Sequence, residues 1–451
     1  MDKNILGIEK PSLLLKKFAV PSIIAMVVSS LYNIVDQIFI GQGVGYLGNA
    51  ATNVAFPLTT ICLAISLLIG VGSASGLALE LGSGNKNKAE TYAKNALGMT
   101  FVIGLLYFVK IIFFLQPMLK VFGATEDIMP YAVTYTRITS LGMPFLIATN
   151  VTSNLIRADG SPKYSMLCMV FGAVINTILD PLFIFVFNMG IAGAAWATVI
   201  GQIFSFILAI RYLKFFKSID ITGKIVEFKI KIWFKIASLG MSNSLNQIAI
   251  TFVQIILNNS LIYYGAMSVY GSEIPLAGCG IVMKVNSILI SVFVGLAQGS
   301  QPIIGYNYGA KKFDRVKKTY KLAVIISVCI AFFGFLIFQT IPEMIVVLFG
   351  KGDRLYIDFS VKFMRIFLFM ITFTGVQIIS SNFFSAIGKP SEGVFLSLTR
   401  QVIFLIPLLV ILPKYFGLDG ILFSGPISDT IAAIVCFSMV MNEFRKIKKV
   451  V

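Results

Sequence analysis

One pattern occurs twice in this chain, 228 residues apart. Asn154, Ala158, Gly160 and Pro162 in NLIRADGSP recur as Asn382, Ala386, Gly388 and Pro390 in NFFSAIGKP, and Arg137 and Arg365 keep the same spacing. Gly70, Gly84 and Lys86 recur as Gly295, Gly309 and Lys311 at an offset of 225, and Phe122-Gly123 recurs as Phe349-Gly350 at 227. So many matches near one offset mark a unit used twice, which restricts the fold to two halves of like topology.

The solvent of that unit follows from its charge content. Only 13% of the residues are charged, against 57% apolar, whereas a soluble domain carries about 25% charged residues. The surface must therefore be lipid. Twelve apolar runs lie near 18–41, 51–81, 95–115, 130–156, 164–187, 192–213, 236–264, 274–304, 320–341, 356–386, 393–413 and 418–441. At ~1.5 Å per residue each can cross a ~30 Å hydrocarbon core. The second and eighth are long enough to require tilt or protrusion. The first seventeen residues are polar and basic, and the run after them has no small-residue cleavage site, so it reads as a first membrane helix and not a removed signal.

The expectation is an all-α integral membrane protein of twelve transmembrane helices in two six-helix halves. An even number per half gives both the same topology, with the pseudo-twofold axis along the membrane normal. Residues 1–213 form the first half, 214–235 a basic linker and 236–451 the second half.

Orientation follows from the basic residues. With the N-terminus inside, the termini and inner loops hold 27 of the 37 Lys and Arg, and the outer loops hold four: Lys120, Lys351, Arg354 and Lys414. This places both termini in the cytoplasm of a multi-pass protein in the cell inner or plasma membrane. The net charge of +17 is thereby explained as topology, and a nucleic-acid partner is not needed.

The chain has no histidine. That removes His metal sites, Ser-His catalysis and His proton relays. The cysteines (Cys62, Cys168, Cys279, Cys329, Cys436) stand far apart in apolar runs and read as small core residues. Gly43-x-Gly45-x-x-Gly48 matches a dinucleotide fingerprint, but it follows a membrane helix and is discarded. No GxxxxGK[ST], HExxH or GxSxG is present. The glycines of the second and eighth runs fit close packing or bending.

Carboxylates inside a membrane are costly and usually face a cavity. Asp36 lies ~29 Å along its helix from Lys17, and Asp180 ~26 Å from Lys163. Asn176 precedes Asp180 by four residues, on the same face. Thr198 enters ~10 Å from the outer end of the sixth run. Helices 1, 5 and 6 thus bring two acids, an amide oxygen and a hydroxyl to the outer half of the first bundle. These hard oxygens suit Na⁺, or two acids that share a proton. The alternative is a polar knot that glues helices together.

Other polar residues fall in particular runs: Ser29, Tyr32, Asn33 and Gln37 in the first, Tyr135, Asn150 and Asn154 in the fourth, Ser242, Gln247 and Gln254 in the seventh, and Gln377, Ser380 and Ser381 in the tenth. A wet central cavity accounts for such runs, and hydrogen bonding between helices is the rival account. Lys284 and Asp429 both sit ~15 Å deep. They are expected to pair, or else Lys284 faces the cavity and tunes substrate charge. Arg400 is nearer a helix end and is expected to snorkel.

With these residues in view, the sequence resembles the multidrug and toxic compound extrusion (MATE) family over nearly its whole length. The carriers are Asp36 in VDQIFIG, NLIRADGSP, the Asn176-x-x-x-Asp180-Pro181 element and QGSQPIIGYNYGAKK at 298–312. The resemblance is greatest to bacterial multidrug-efflux or DinF-like branches. It implies two six-helix lobes arranged as a V, a monomer, and antiport in which Na⁺ or H⁺ enters as a cationic, amphipathic drug or dye leaves, with no other cofactor. By the same resemblance Asp36, Asn176, Asp180 and Thr198 match the family's cation site, and Tyr32, Tyr135, Asn150 and Asn154 the neighbouring pocket. Gln37, Gln247, Lys284 and Gln377 complete the expected cavity. Some branches carry acids on helices 7, 8 and 10. Here those helices offer Gln, Asn and Lys284, which points to coupling through the first half.

The competing readings are a lipid-linked glycan or lipid flippase, a facilitator-type carrier, a membrane-embedded enzyme and a non-transporting scaffold. Lys284 and Arg400 suit a flippase's pyrophosphate, whereas Asp36 and Asp180 oppose it. The paired NxxxAxGxP loops argue against the carrier, the missing catalytic set against the enzyme, and the buried acids against a scaffold.

Overall fold

The computed structural model describes residues 4–221, 226–349 and 353–450, which contain helices and no strand. Gly350 of the repeated Phe-Gly pair, Lys351 and residues 222–225 of the linker lie outside the described residues. The first half consists of α1 (Pro11–Gly43), α2 (Tyr46–Gly82), α3 (Lys86–Val121), α4 (Met129–Ala158), α5 (Pro162–Val186, ending on a π turn at Leu182–Val186) and α6 (Gly190–Tyr212). The second consists of α7 (Ile230–Ala266), α8 (Glu273–Gly309), α9 (Phe313–Thr340), the short α10 (Pro342–Phe349), α11 (Arg354–Phe367), α12 (Ile371–Ala386), α13 (Pro390–Phe416, with a π stretch at Thr399–Leu405) and α14 (Leu418–Val450).

Among the described residues, ten helices have the length and composition to cross a membrane, and α11 with α12 form an eleventh span bent by 50°. The tenth apolar run is therefore broken, where the sequence reads as one helix. Neither proline nor glycine marks the break at 368–370. The remaining crossing is α4, 30 residues long. It packs against α2, α3 and α6, and that shelter from lipid tolerates its Thr, Ser and Asn content.

The repeated loop is a stop-and-start device. Gly160 (φ 92°) and Gly388 (φ 79°) take the left-handed conformation that ends α4 and α12. Pro162 and Pro390 then open α5 and α13, where a missing N–H costs nothing. Among the positions where the two loops differ, Asp159 ties its loop to the linker. Asp159 is buried and accepts hydrogen bonds from the Tyr212 hydroxyl (2.8 Å) and from the backbone N–H of Lys217 (2.9 Å) and Ser218 (2.8 Å), which fastens the start of the linker. Its counterpart, Ile387, is a buried core residue.

Each half packs mostly within itself, and the halves meet where α1 lies along α8 and α2 along α7. Glycines make these approaches possible. A Cβ on Gly295 would sit 2.5 Å from the Ile23 Cα, and one on Gly299 2.6 Å from the Ala19 Cα. A Cβ on Gly72 would sit 2.0 Å from the Ile236 carbonyl oxygen, and one on Gly240 1.9 Å from that of Leu68. Close packing, and not bending, is thus what these glycines serve.

The QGSQPIIGYNYGAKK segment closes the same end, where the chain termini lie. Arg157, buried at the end of α4, donates to Gln298 Oε1 across the seam (2.6 Å) and to Asn154 Oδ1 (3.0 Å). Gln301 donates to Ser75 Oγ (2.7 Å) and to the Val71 carbonyl (3.0 Å) on α2. Asn307 and Lys312 donate to the Leu6 and Gly7 carbonyls (2.9 Å each), strapping the amino-terminal segment to the other half.

Candidate cation site and the recess beside it

Close approach of α5 to α6 begins the site. Gly172 and Gly201 face each other so tightly that a Cβ on Gly201 would lie 2.7 Å from the Gly172 carbonyl oxygen. One turn along α5 from Gly172 stands Asn176, and one further turn brings Asp180. The narrow crossing lets the Asn176 amide reach both helices: Nδ2 donates to Asp180 Oδ1 and to Thr198 Oγ1, each at 3.3 Å. Pro181 then withholds the N–H that a regular helix would send back to Thr177, and the π turn follows.

Asp36 of α1 completes the group. Its carboxyl and that of Asp180 come within hydrogen-bonding reach of each other. Asp180 is fully buried and Asp36 is 9% exposed. Among the described residues neither carboxylate forms an ion pair with a basic group. Two carboxylates facing each other can form a hydrogen bond only when one carries a proton. Three oxygens here, Asp36 Oδ1, Asn176 Oδ1 and Asp180 Oδ2, are buried without a hydrogen-bond partner. With Thr198 Oγ1 they form an oxygen-only set that fits a hard monovalent cation or a shared proton. Ile40, Ile184 and Ala194, flanked by Phe39, Val44 and Tyr135, form an apolar cluster beside the acids. Tyr32 and Tyr135 stand next to the pair.

The other expected cavity residues are scattered. Asn150 donates to the Leu146 carbonyl (3.0 Å). Asn154 is buried, held between the Asn150 carbonyl and Arg157. Gln377 is buried and donates to the Leu396 carbonyl (2.8 Å). Gln247 is half-buried on α7. Gln37 and Lys284 do meet, lining a recess of about 380 Å³ between α1 and α8.

Some polar runs stitch helices together. Ser242 of α7 lies 2.6 Å from Ser381 of α12, and both hydroxyls bond the Gly393 carbonyl. Four cysteines are buried as expected of core residues, but Cys329 is exposed on α9.

The expected Lys284–Asp429 pair does not form. Asp429 pairs with Arg400, whose side chain is 11% exposed and does not snorkel. Depth along a helix follows from residue count, but the direction of a side chain around the axis does not, and Asp429 turns toward α13 and not α8. Arg400 and Asp429 lie 228 residues after Gly172 and Gly201, so the ion pair occupies the place of a close glycine crossing in the first half. Arg157 and Gln298, the buried contact across the seam, were also missed; both sit inside motifs singled out for other residues.

Comparison with known proteins adds the following. The MatE family model matches residues 21–182 and again 244–411. Multidrug export protein MepA of Staphylococcus aureus (strain MRSA252) is 25% identical over 427 residues, covering 94% of this chain and 92% of that protein. The MepA of Staphylococcus saprophyticus is 24% identical over 448 residues, covering 97% and 96%. A solved structure described as an outward-facing conformation of a multidrug resistance MATE family transporter of the MOP superfamily superposes with a TM-score of 0.92 at 23% identity, over 100% of this chain and 99% of that one. A MOP superfamily transporter from Pyrococcus furiosus, described as having a binding pocket of reverse polarity, gives 0.91 at 23% identity over 98% of each chain. These structural likenesses establish the two-lobe, twelve-span fold.

Proposed function

The chain belongs to the MatE family, a family of transporters and not enzymes, and from that premise we propose that it is a secondary active multidrug exporter. Small cationic, amphipathic drugs or dyes leave the cytoplasm as Na⁺ or H⁺ enters, by alternating access. The observation that carries this reading is the pair Asp36 and Asp180, buried together without a basic partner and with oxygens unmatched. Two such acids are a poor structural glue, since burying uncompensated charge is costly. They are a sound cation receptor.

The glycine seam closes the basic end while the Lys284 recess opens at the other, which supports reading this structure as the outward-facing state. The 27-to-4 division of basic residues supports cytoplasmic termini in the plasma or inner membrane. One chain holds both halves and the seam between them, which supports a monomer as the working unit.

In this reading Na⁺ or H⁺ arrives from outside and neutralises the acids. Asp36 and Asp180 would supply carboxylate oxygens, Asn176 its amide oxygen and Thr198 its hydroxyl. The neutralised pocket holds a cationic drug less firmly, so the drug departs. Closure then becomes easier, because net charge is no longer being sealed from water.

The test is dye efflux from proteoliposomes under an imposed Na⁺ or pH gradient, for wild type and Asp36→Asn. Efflux driven by one gradient and lost in the variant is expected, and names the ion. Absence of gradient-driven movement by folded, correctly oriented protein sinks the reading in favour of a lipid-linked substrate.

A further inference from the structure

Lys284 stands ~16 Å into α8 from Glu273, at a depth where a lysine turned to lipid is costly. It is exposed all the same, because it opens onto the recess it shares with α1 and the start of α2. One turn deeper Ser287 lies 3.5 Å from Ser30 of α1, and there the two halves close. Lys284 is thus at the floor of the gap between the lobes.

The chemistry of this recess is one-sided. Gln37, Gln42 and Asn49 bring amides to it, Ile34 and Ile38 give it an apolar wall, and no acid lines it. Among the described residues the Lys284 ammonium makes no ion pair, and Asp429 is taken by Arg400. Asn49 Oδ1 is buried without a hydrogen-bond partner, so this amide is not locked by its neighbours. Asp36, although adjacent to Gln37, is nine-tenths buried with Asp180 inside the first half. The negative centre therefore lies on α1 inside the first half, and the positive centre on α8, the helix facing it.

We infer that this recess binds the carboxylate of an exported zwitterion, with Lys284 as the residue that selects for it. One ammonium and neutral amide donors match a single negative charge. A phosphate monoester carries nearly two, and would leave charge unmatched. The apolar wall accommodates the body of an amphipathic molecule, and a volume of about 380 Å³ takes a drug-sized fragment. This rests on the export reading and narrows it: the acids of the first half receive the coupling ion, and the far wall sorts substrates by whether they carry an anion.

The test uses rhodamine B, which bears a free carboxylate, and its ethyl ester, which is the same cation without it. Binding to purified protein and efflux from proteoliposomes are measured for wild type, Lys284→Gln, Lys284→Glu and Lys110→Gln, the last being an exposed lysine on α3. Loss of a charge-assisted contact is expected to weaken rhodamine B about tenfold in Lys284→Gln while leaving the ester unchanged. Lys284→Glu should favour the ester, and Lys110→Gln should match wild type. An unchanged ratio of the two dyes in both Lys284 variants overturns the inference. So does an equal change in Lys110→Gln. If anionic phospholipid added to the detergent displaces rhodamine B only from protein that keeps Lys284, the recess is a lipid site and the substrate assignment fails. Dye binding that follows this pattern without gradient-driven efflux would support the recess while overturning the export reading.

Discussion

At one pair of equivalent positions the two halves of this molecule solve the same packing problem in opposite ways. In the first half α5 crosses α6 through Gly172 and Gly201, with nothing between the backbones. In the second half, 228 residues on, α13 crosses α14 through a buried ion pair, Arg400 with Asp429. The Thr374 hydroxyl donates to the same Asp429 (3.4 Å), and Ser428 Oγ donates to the Arg400 carbonyl (2.9 Å). The glycine crossing lets Asn176 reach Thr198 and leaves Asp36 and Asp180 uncompensated. At the same offset the second half has Phe404, Leu408 and Pro426 in place of Asn176, Asp180 and Thr198. One copy keeps unbalanced charge that a cation can answer. The other has spent its acid on structure, so a single coupling site is expected per chain.

Breaking the ion pair should give the largest effect. Arg400→Met leaves Asp429 buried and alone, and is expected to cost about 3–5 kcal/mol, with a large fall in melting temperature and in folded yield. Removing both charges, as Arg400→Met with Asp429→Leu, should restore most of that loss. Thermal unfolding of detergent-solubilised protein checks both. Stability equal to wild type in the single variant would mean that this acid too is free to take a cation.

Closing the glycine crossing comes next. A Cβ on Gly172 would lie 1.9 Å from the Ser205 hydroxyl, so Gly172→Val should overpack the crossing by about 1–3 kcal/mol. It should also draw Asn176 away from Thr198 and weaken ion-dependent efflux more than melting alone explains. Asp36→Asn should do the reverse, abolishing coupled efflux while the melting temperature holds or rises, because it removes an uncompensated buried charge. A fall in stability like that of Arg400→Met would make Asp36 structural.

Legibility divides along the same line. The duplication, the twelve crossings and the four oxygens were readable because they depend on spacing along the chain, and a helix converts spacing into depth and face. Asn176 and Asp180 share a face whatever surrounds them. Partner choice between helices was not readable. Lys284 and Asp429 have similar depths, yet one opens onto α1 and the other turns to α13. The break between α11 and α12 carries no proline or glycine to announce it, and Arg157 was hidden in a loop motif whose repeated glycine and proline end and start helices.

The smallest effects make the sharpest comparison, because each half has one threonine beside its acid. Thr374 donates to Asp429, an acid already matched by Arg400. Thr374→Val should therefore cost no more than about 1 kcal/mol of stability and leave the ion dependence of efflux unchanged. Thr198 accepts from Asn176 beside acids that have no such partner. Thr198→Val removes one oxygen from the cation set and should raise the Na⁺ or H⁺ concentration for half-maximal efflux several-fold, with melting nearly constant. Ion titration of efflux alongside thermal unfolding separates the two. If both valines shift melting and neither shifts the ion titration, the first half's oxygens are glue like the second's, and the asymmetry between the lobes carries no coupling.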